Sequence, residues 1–279
     1  MKYIFPVLLF AANTILAHAQ NLKLMTYNMR LDLPSDGENA WPNRKDFFVK
    51  QLLDISPDII GTQEGLPRQI DFIDQKLSNY SYIGIGRDGG KGKGEYCAIF
   101  YKKEKLKLIK SNTFWLSKTP EKKSKGWDAA YIRICTYGLF KDKKSGKPFW
   151  VFNTHLDNKG EQARRKGIRL ICKKIKQLNN ENHPVILMGD LNAEPDNKII
   201  KRLSRKFIDA KVADKNPSPE MDATFNAFDF DSSPTRRIDY IFLEKRKFAI
   251  NSYLAPRLAK NGKYPSDHFP VIVEVSILK

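Results

Sequence analysis

Short apolar stretches with polar residues at one end recur along this chain of 279 residues. Their short length and their β-branched and aromatic content predict buried β-strands. Four stretches end on the polar group and two begin with it: residues 22–28, 59–64, 149–155 and 185–192, and then residues 237–242 and 266–273. Where strands run antiparallel, the ends of some and the beginnings of others share one rim of the sheet. We therefore expect these polar residues to converge in a single pocket.

The first residues have the three-part pattern of a cleaved secretory signal. Met1-Lys2-Tyr3 precedes an apolar stretch over residues 4–16, and Ala17-His18-Ala19 forms a small-residue cleavage site. We expect a signal peptide over residues 1–19, and hence a secreted or periplasmic protein, in preference to a buried first strand. No other apolar stretch is long enough for a transmembrane helix.

Residues 20–279 are predicted to form a single catalytic domain. Their number suits one large domain or two small ones, and no linker or repeat divides them. The polar strand ends extend from Asn28 to His268, so a division of the chain would split the pocket. We expect one domain, and a monomer.

The cysteines predict neither a metal site nor a redox motif. Cys97, Cys135 and Cys172 include no C-x-x-C pair and have no histidine at ligand spacing. Buried thiols are the favoured interpretation. A Cys97–Cys135 disulfide stays open for an exported protein if the two strands are neighbours.

The charge of the chain indicates polyanions or an anionic surface as possible partners. Its formal net charge is +18 and its pI is about 9.7. Lysines in exposed turns also serve solubility alone, and no aromatic residues alternate with them to stack on bases. Nucleic-acid binding therefore stays an open alternative.

Helical and strand patterns alternate in the first and third quarters of the chain. Apolar residues at helical spacing predict helices over residues 43–55, 69–77, 161–178 and 196–203. Strands dominate residues 80–152 and the last quarter. This order predicts an α+β sandwich with a mixed, largely antiparallel core and helices on the outer faces.

Two of the strand ends predict a site for a hard divalent cation. Asn28 ends one apolar stretch and Glu64 ends the next. A carboxylate and an amide oxygen are suitable ligands for Mg²⁺ or Mn²⁺.

The sequence Gly-Asp-Leu-Asn at residues 189–192 is the sharpest local motif. Gly189 lets the backbone bend, while Asp190 and Asn192 can face the same side. Asp190 can orient or deprotonate a water, and Asn192 can contact a phosphate oxygen. A simple turn is the alternative.

Histidines are scarce, and two lie at strand ends beside acidic residues. His155 is followed by Asp157, and His268 follows Asp267. Such imidazoles can serve as acid, base or phosphate contact, and Asp239 could fix a histidine tautomer. The chain has neither a P-loop nor a G-x-S-x-G motif, which leaves metal-assisted attack by water.

Together these motifs resemble the endonuclease/exonuclease/phosphatase superfamily, and in particular a group of exported bacterial members. They occur in the family's order and cover almost all of residues 20–279. The resemblance implies a four-layered α-β-β-α sandwich with one divalent-metal phosphoesterase site. The motifs that carry it are Tyr27-Asn28, Gln63-Glu64, Asn153-Thr154-His155-Leu156-Asp157, Gly189-Asp190-Leu191-Asn192, Arg237-Ile238-Asp239 and Ser266-Asp267-His268-Phe269-Pro270.

The resemblance also implies a role for each matching residue. The implied metal ligands are Asn28, Glu64 and Asp267. The implied catalytic residues are His155, Asp190, Asn192, Asp239 and His268. Weaker matches imply substrate contacts from Tyr96 and Arg133.

From these patterns we expect an exported Mg²⁺- or Mn²⁺-dependent phosphodiesterase or nuclease. A lipid phosphodiesterase similar to sphingomyelinases is the alternative, and it would need an exposed apolar hairpin, for which residues 225–230 are a candidate. A non-catalytic module that binds polyanions is a third hypothesis.

Overall fold

The computed structural model describes residues 20–214 and 223–278. The predicted signal peptide at residues 1–19 lies outside the described residues. Within them, twelve strands form two six-stranded sheets. The strands are β1 (Gln20–Asn28), β2 (Ile59–Gln63), β3 (Tyr80–Ile83), β4 (Ile99–Lys102), β5 (Leu106–Trp115), β6 (Ile134–Asp142), β7 (Pro148–His155), β8 (Val185–Asp190), β9 (Phe207–Asp209), β10 (Asp239–Glu244), β11 (Phe248–Leu254) and β12 (Val271–Ile277).

In the same described ranges, five α-helices and one 3-10 helix connect these strands. The α-helices are α1 (Trp41–Ile55), α2 (Pro67–Lys76), α3 (Glu161–Leu178), α4 (Lys198–Leu203) and α5 (Ala210–Ala213), and the 3-10 helix spans Pro34–Asn39. The four helices predicted from apolar spacing are confirmed to within two residues at each end. The spacing succeeds because each helix buries one apolar stripe.

Each sheet is mixed, with one parallel pair near its centre. The first sheet has the order β11-β12-β1-β2-β4-β3, and the second has the order β5-β6-β7-β8-β10-β9. The strands β1 and β2 are parallel, as are β7 and β8, while the other neighbours pair antiparallel. The C-terminal ends of both parallel pairs therefore carry the predicted site residues.

Three layers of apolar contacts hold the sandwich together. One buried cluster lies between the sheets and joins residues such as Leu24, Val151 and Val273. A second buries α3 and α4 against the second sheet, and a third buries α1 and α2 against the first. The four-layered α-β-β-α sandwich predicted from the motifs is confirmed.

The two sheets approach closely near the site. A Cβ added to Gly61 would lie 2.7 Å from Met188 Sδ and 2.9 Å from Asn153 Cγ. Asn153 is fully buried there and donates to the carbonyls of Thr62 and Ala98 at 2.9 Å and 2.8 Å. It also accepts from Gln63 Nε2 at 2.7 Å. This polar bridge fixes the rim of β7 against the rim of β2.

Some strand boundaries differ from the sequence patterns. The last strand was expected from residue 266, but β12 begins at Val271, so Asp267 and His268 lie in the loop before it. Pro270 cannot donate a backbone hydrogen bond, which explains the later start. The pattern also missed β11, whose burial does not alternate regularly and which exposes Asn251 and Leu254.

Cys97 and Cys135 are buried free thiols, and Cys172 is free and partly buried. Within residues 20–214 and 223–278 no helix has the length and apolar character needed to cross a bilayer.

Candidate active site

Three of the predicted catalytic residues are direct neighbours across adjacent strands. His155 pairs with Asp190 across the parallel strands β7 and β8. Asp190 pairs in turn with Asp239 across the antiparallel strands β8 and β10. Backbone pairing alone therefore puts an imidazole and two carboxylates in one row at the rim of the second sheet.

A glycine makes this close pairing possible. Gly189 has a φ of +135°, and a Cβ there would lie 1.9 Å from the carbonyl oxygen of Thr154. Only glycine avoids both the strain and the collision. The Gly-Asp-Leu-Asn motif thus begins with a residue that brings β8 onto β7 just before Asp190.

Asp190 is the centre of the site. It is 1% exposed, and its Oδ1 accepts from the backbone N–H of Asn192 at 2.8 Å. Its Oδ2 accepts from Asn28 Nδ2 at 3.1 Å and lies 3.3 Å from His155 Nε2. His268 Nε2 lies 3.9 Å from the same oxygen. Residues from both sheets thus surround one carboxylate oxygen.

The first sheet contributes Asn28 and Glu64. Asn28 is fully buried, and its Nδ2 donates to Glu64 Oε1 at 3.0 Å as well as to Asp190. Glu64 has a φ of +65°, and its Oε2 accepts from the backbone N–H of Leu31 at 3.1 Å. A non-glycine residue held in this left-handed region is often found at functional sites.

His268 is held by Asp239. Its Nδ1 lies 2.8 Å from Asp239 Oδ2, and both side chains are buried. Burial opposes a charge on the imidazole, but the carboxylates of Asp239, Asp267 and Asp190 outweigh it and raise the pKa of His268 to about 10. His268 is therefore a cation at neutral pH.

His155 has the opposite character. Its Nε2 lies 3.0 Å from Asn192 Nδ2, which also donates to the carbonyl of Leu156 at 3.0 Å. Burial, together with the charges of Arg133 and His268, holds the pKa of His155 well below its usual value. The site therefore combines one neutral and one charged imidazole.

The protonation of Asp190 is finely balanced. Burial and the nearby Asp239 carboxylate raise its pKa to about 7, against the opposing effect of His268. Asp239 Oδ1 is buried and has no hydrogen-bond partner among the described residues. One buried oxygen of the Asp190–Asp239 pair is thus left without a donor within that part of the chain.

This donor set fits a hard divalent cation. Single ligand atoms of Glu64, His155 and Asp190 lie within 4.8 Å of one another, and the same holds for Asp190, Asp239 and His268. Carboxylate oxygens suit Mg²⁺ and Mn²⁺, and an imidazole suits Mn²⁺ better. Asn28 presents its amide nitrogen to the carboxylates, and its Oδ1 accepts from the backbone N–H of Arg30 at 3.0 Å.

Asp267 lies in the same pocket without joining either of these groups. Its Oδ2 lies 3.6 Å from an Arg30 guanidinium nitrogen. The neighbouring Ser266 donates to the carbonyl of Asn28 at 2.6 Å, and buried Arg44 donates to the carbonyls of Met29 and Pro265. These bonds tie the Asp267 loop to the end of β1, and the role of Asp267 as a ligand stays a prediction.

The site opens into a cavity of about 610 Å³. Arg133 lines it, as predicted, together with Glu64, His155, Asp190, Asn192, Asp267 and His268. Tyr96 does not line it. That side chain is 3% exposed, and its hydroxyl accepts from Gly92 N–H at 2.8 Å beneath an adjoining small cavity.

Several lining residues escaped the sequence patterns. Arg30, Arg87, Glu95 and Tyr131 come from loops, and Arg236 precedes β10. No periodicity marks such positions, because the loop conformation alone decides which side chains reach the pocket. Only the positive φ of Arg30, at +53°, is unusual there, and it is a structural feature.

The aromatic side chains of residues 225–230, the segment considered for membrane contact, pack against other residues of the protein. The Phe225 ring packs on the His268 imidazole at 5.1 Å, and the Arg44 guanidinium covers Phe228 at 5.6 Å. Phe230 is 47% exposed and packs on Tyr264. A single half-exposed ring offers little apolar area for lipid.

Proteins of known structure are similar to this chain in both sequence and fold. An endonuclease/exonuclease/phosphatase family protein from Bacteroides thetaiotaomicron is 35% identical, with a TM-score of 0.89 over 94% of this chain and 99% of that one. A mannosyl-6-phosphatase from the same organism is 36% identical, with a TM-score of 0.85 over 91% of this chain and 99% of that one.

More distant relatives are longer. Nocturnin of Drosophila melanogaster is 26% identical over 86% of this chain, but the chain spans only 42% of its length. The chain likewise spans 59% of Nocturnin from Rattus norvegicus. Residues 25–268 match the profile of the Endonuclease/Exonuclease/phosphatase family. Its members are metal-dependent hydrolases of phosphate esters, and the site described above lies within the matched residues, so the chain belongs to this family.

Proposed function

We propose that this protein hydrolyses phosphate esters by direct attack of a water molecule. The convergence on Asp190 carries the proposal: one buried carboxylate faces Asn28, His155 and His268, which come from both sheets. In the reaction a bond forms between the water oxygen and phosphorus, and the ester P–O bond breaks. The water loses a proton, and the leaving alcohol gains one.

The protein side chains have distinct roles in this proposal. Asp190 Oδ2 orients the water and takes its proton, because its pKa of about 7 is close to neutral pH. The His268 cation, held by Asp239, stabilises the negative charge that develops on the phosphate. Asn192 and neutral His155 provide further hydrogen bonds to phosphate oxygens.

We propose Mg²⁺ or Mn²⁺ as the cofactor, with Glu64 and Asn28 as the residues that would hold it. Asp267 was predicted as a further ligand. When bound, such a cation polarises the phosphate and stabilises its negative charge. The oxygen-rich donor set supports this choice.

Two substrate classes merit testing. The sequence favours a phosphodiester such as nucleic acid, and its net charge of +18 supports that class. A sugar phosphate monoester is supported by the 36% identity to a mannosyl-6-phosphatase. Each of the pocket's four arginines has a carboxylate partner, which leaves Lys159 and His268 as its other cationic side chains, and we take this limited charge as support for the second class.

We also propose export, on the basis of residues 1–19 alone. Their pattern is that of a secretory signal. Fractionation of cells that express the full chain tests it: mature protein that begins near Gln20 in the periplasm or medium supports export, and full-length protein in the cytoplasm contradicts it.

One experiment tests the hydrolase proposal. Residues 20–279 are incubated with 4-nitrophenyl phosphate, bis-4-nitrophenyl phosphate, hexose 6-phosphates, DNA and RNA, each with Mg²⁺, Mn²⁺ or chelator. We expect metal-dependent release of phosphate or cleavage in at least one assay. Activity that persists in chelator would contradict the metal-dependent site, and inactivity on every ester with metal would revive the non-catalytic module.

A further inference from the structure

A connected group of side chains lines the pocket beside the catalytic residues. Arg87 and Glu95 form a two-point ion pair, with Arg87 Nη1 donating to Glu95 Oε2 at 2.8 Å. The guanidinium carbons of Arg87 and Arg133 lie 5.4 Å and 5.5 Å from the centre of the Tyr131 ring. We call Arg87, Glu95, Tyr131 and Arg133 the Tyr131 wall. All four residues line the cavity into which the catalytic site opens.

Hydrogen bonds within the protein hold the Tyr131 wall in place without a ligand. Asp157 accepts from the backbone N–H groups of Ala130 and Tyr131, each at 3.0 Å, and contacts Arg133 Nε at 3.4 Å. Trp115 Nε1 donates to the carbonyl of Arg87 at 2.8 Å. A site held in this way loses little conformational entropy when a ligand binds.

The wall is polar but nearly neutral. The carboxylate of Glu95 balances Arg87, and that of Asp157 balances Arg133. The Arg87–Glu95 ion pair is largely buried, because the side chains of Arg87 and Glu95 are only 16% and 12% exposed. Such a surface has many hydrogen-bond donors and acceptors, but it lacks the excess positive charge that binds a polyanion.

The exposed part of the wall is aromatic. Tyr131 is 50% exposed although its ring contacts two guanidinium groups. An aromatic ring beside paired donors and acceptors matches a ligand that has both a C–H face and several hydroxyl groups. Glu64 and His155 of the catalytic site line a small cavity together with Arg87, Glu95 and Arg133 of the wall. The wall therefore lies directly next to the catalytic site.

We propose that the Tyr131 wall binds the hydroxyl-rich ring of a sugar whose phosphate ester lies at Asp190. The Arg87–Glu95 pair would accept from and donate to neighbouring sugar hydroxyls, while Tyr131 packs on the ring. This inference rests on the proposed function, and it assigns the substrate class and the residues that select it. The wall acts on the leaving group and not on the phosphate.

The test compares primary phosphate esters that differ in hydroxyl groups, and adenosine 5′-monophosphate is assayed beside them. The values of kcat/KM for mannose 6-phosphate, glucose 6-phosphate and butyl phosphate are measured for the wild type, Glu95→Gln and Tyr131→Ala. Glu121→Gln serves as the matched control, because Glu121 forms an exposed ion pair with Lys174 at 3.1 Å. Hydrolysis of 4-nitrophenyl phosphate reports separately on the catalytic site.

The wild type should prefer at least one hexose phosphate over butyl phosphate by about 100-fold or more, because a site built for hydroxyl groups rejects a ligand without them. Glu95→Gln and Tyr131→Ala should each reduce that preference by about 10-fold, with less than about a twofold change for butyl phosphate. Glu121→Gln should leave it unchanged.

Equal losses on hexose phosphate and butyl phosphate would overturn the proposal, as would an unchanged preference in both wall variants. A larger loss on a nucleoside 5′-monophosphate than on the hexose phosphates would reassign the wall to a nucleobase. If Glu95→Gln does not fold, half-exposed Tyr131→Ala keeps the test decisive. Inactivity of the wild type on 4-nitrophenyl phosphate and on every other ester would instead contradict the proposed function.

Discussion

Asp190 and Asp239 are paired residues of the antiparallel strands β8 and β10, and both carboxylates are buried at the same rim. Two neighbouring carboxylates repel each other when both are charged, and burial disfavours the charged form further. Asp190 consequently has a pKa of about 7, while His268 stays charged next to Asp239. The repulsion between the two carboxylates therefore contributes to the raised pKa of Asp190 that the proposed reaction uses.

Replacement of Asp190 by asparagine should abolish most activity and stabilise the fold. The variant keeps the shape but removes the base and the repulsion with Asp239. We expect kcat to fall by about 100-fold or more. In chelator at pH 8 we expect the free energy of unfolding to rise by about 1 kcal/mol or more, because burial no longer opposes a charge.

The stability effect of Asp190 should depend on pH with a defined sign. A raised carboxyl pKa means that the folded protein keeps a proton that the unfolded chain releases between about pH 4 and pH 7. The wild type should therefore lose stability relative to Asp190→Asn as the pH rises through that range. Asp54→Asn, in an exposed pair with Lys50, should show no comparable trend. An undiminished rate for Asp190→Asn would contradict the assigned role.

Replacement of Asp239 by asparagine should lower the pKa of His268. Burial then disfavours the charged imidazole without the opposing effect of the Asp239 carboxylate. In the wild type the raised pKa contributes stability that is complete below about pH 6.5 and is lost as the pH rises toward 10. NMR titration of the histidine ring measures the shift in chelator-treated protein. A pKa that stays near 10 in Asp239→Asn would show that other groups hold the charge.

Substitution of Gly189 by alanine should prevent folding or cost more than about 3 kcal/mol, because the new Cβ collides with the backbone of Thr154. Gly90 is the matched control: its φ is +121°, but a Cβ there meets nothing within 4 Å. Gly90→Ala should therefore show only the smaller cost of backbone strain. Denaturant unfolding of both variants measures the difference, and equal costs would rule out the collision.

Asn153 should be important for both stability and activity. Alanine there would remove three buried hydrogen bonds, those with the carbonyls of Thr62 and Ala98 and that with Gln63 Nε2, so we expect a loss of about 3 kcal/mol. Because Gln63 precedes Glu64, activity should fall as well. Asn251→Ala removes an exposed amide on β11 and should change stability by less than about 0.5 kcal/mol. Similar midpoints of urea unfolding for both variants would contradict the bridge.

Divalent cations should stabilise the wild type through Glu64. Mn²⁺ at 100 times its Kd should add about 2.7 kcal/mol to the free energy of unfolding, provided that it binds only the folded state. Glu64→Gln should abolish most of that gain, while Glu274→Gln, which removes an exposed partner of Lys23, should keep it. Calorimetry with Mg²⁺, Mn²⁺ and chelator measures the shift. An equal gain in Glu64→Gln would move the cation site elsewhere.

The fold could be predicted because its information is local and repetitive. The apolar run at residues 185–190 and the helical spacing at residues 161–178 each bury one face in a standard way, so both elements were predicted correctly. The strand β11 was missed because it lies at a sheet edge, where its exposed residues obscure the alternation.

The predicted site residues stand out in the sequence because they interrupt those local patterns. Asp190, Glu64 and His155 are polar residues directly at the ends of buried strands, where core packing offers no reason for them. The sequence by itself thus determined the helices and most strands through hydrophobic periodicity, and it determined the family, the four-layered architecture and the polar set at the rim through the resemblance of its motifs.

The tertiary structure decided which of these residues meet and what surrounds them. It brought Asn28 of the first sheet onto Asp190, placed Tyr96 at a small adjoining cavity and brought Tyr131 beside the Arg87–Glu95 pair of another loop. The pKa values of Asp190 and His268 depend on charges that are distant in sequence, and the selective wall depends on loop conformation. Both arise from long-range contacts, for which the chain has no local pattern.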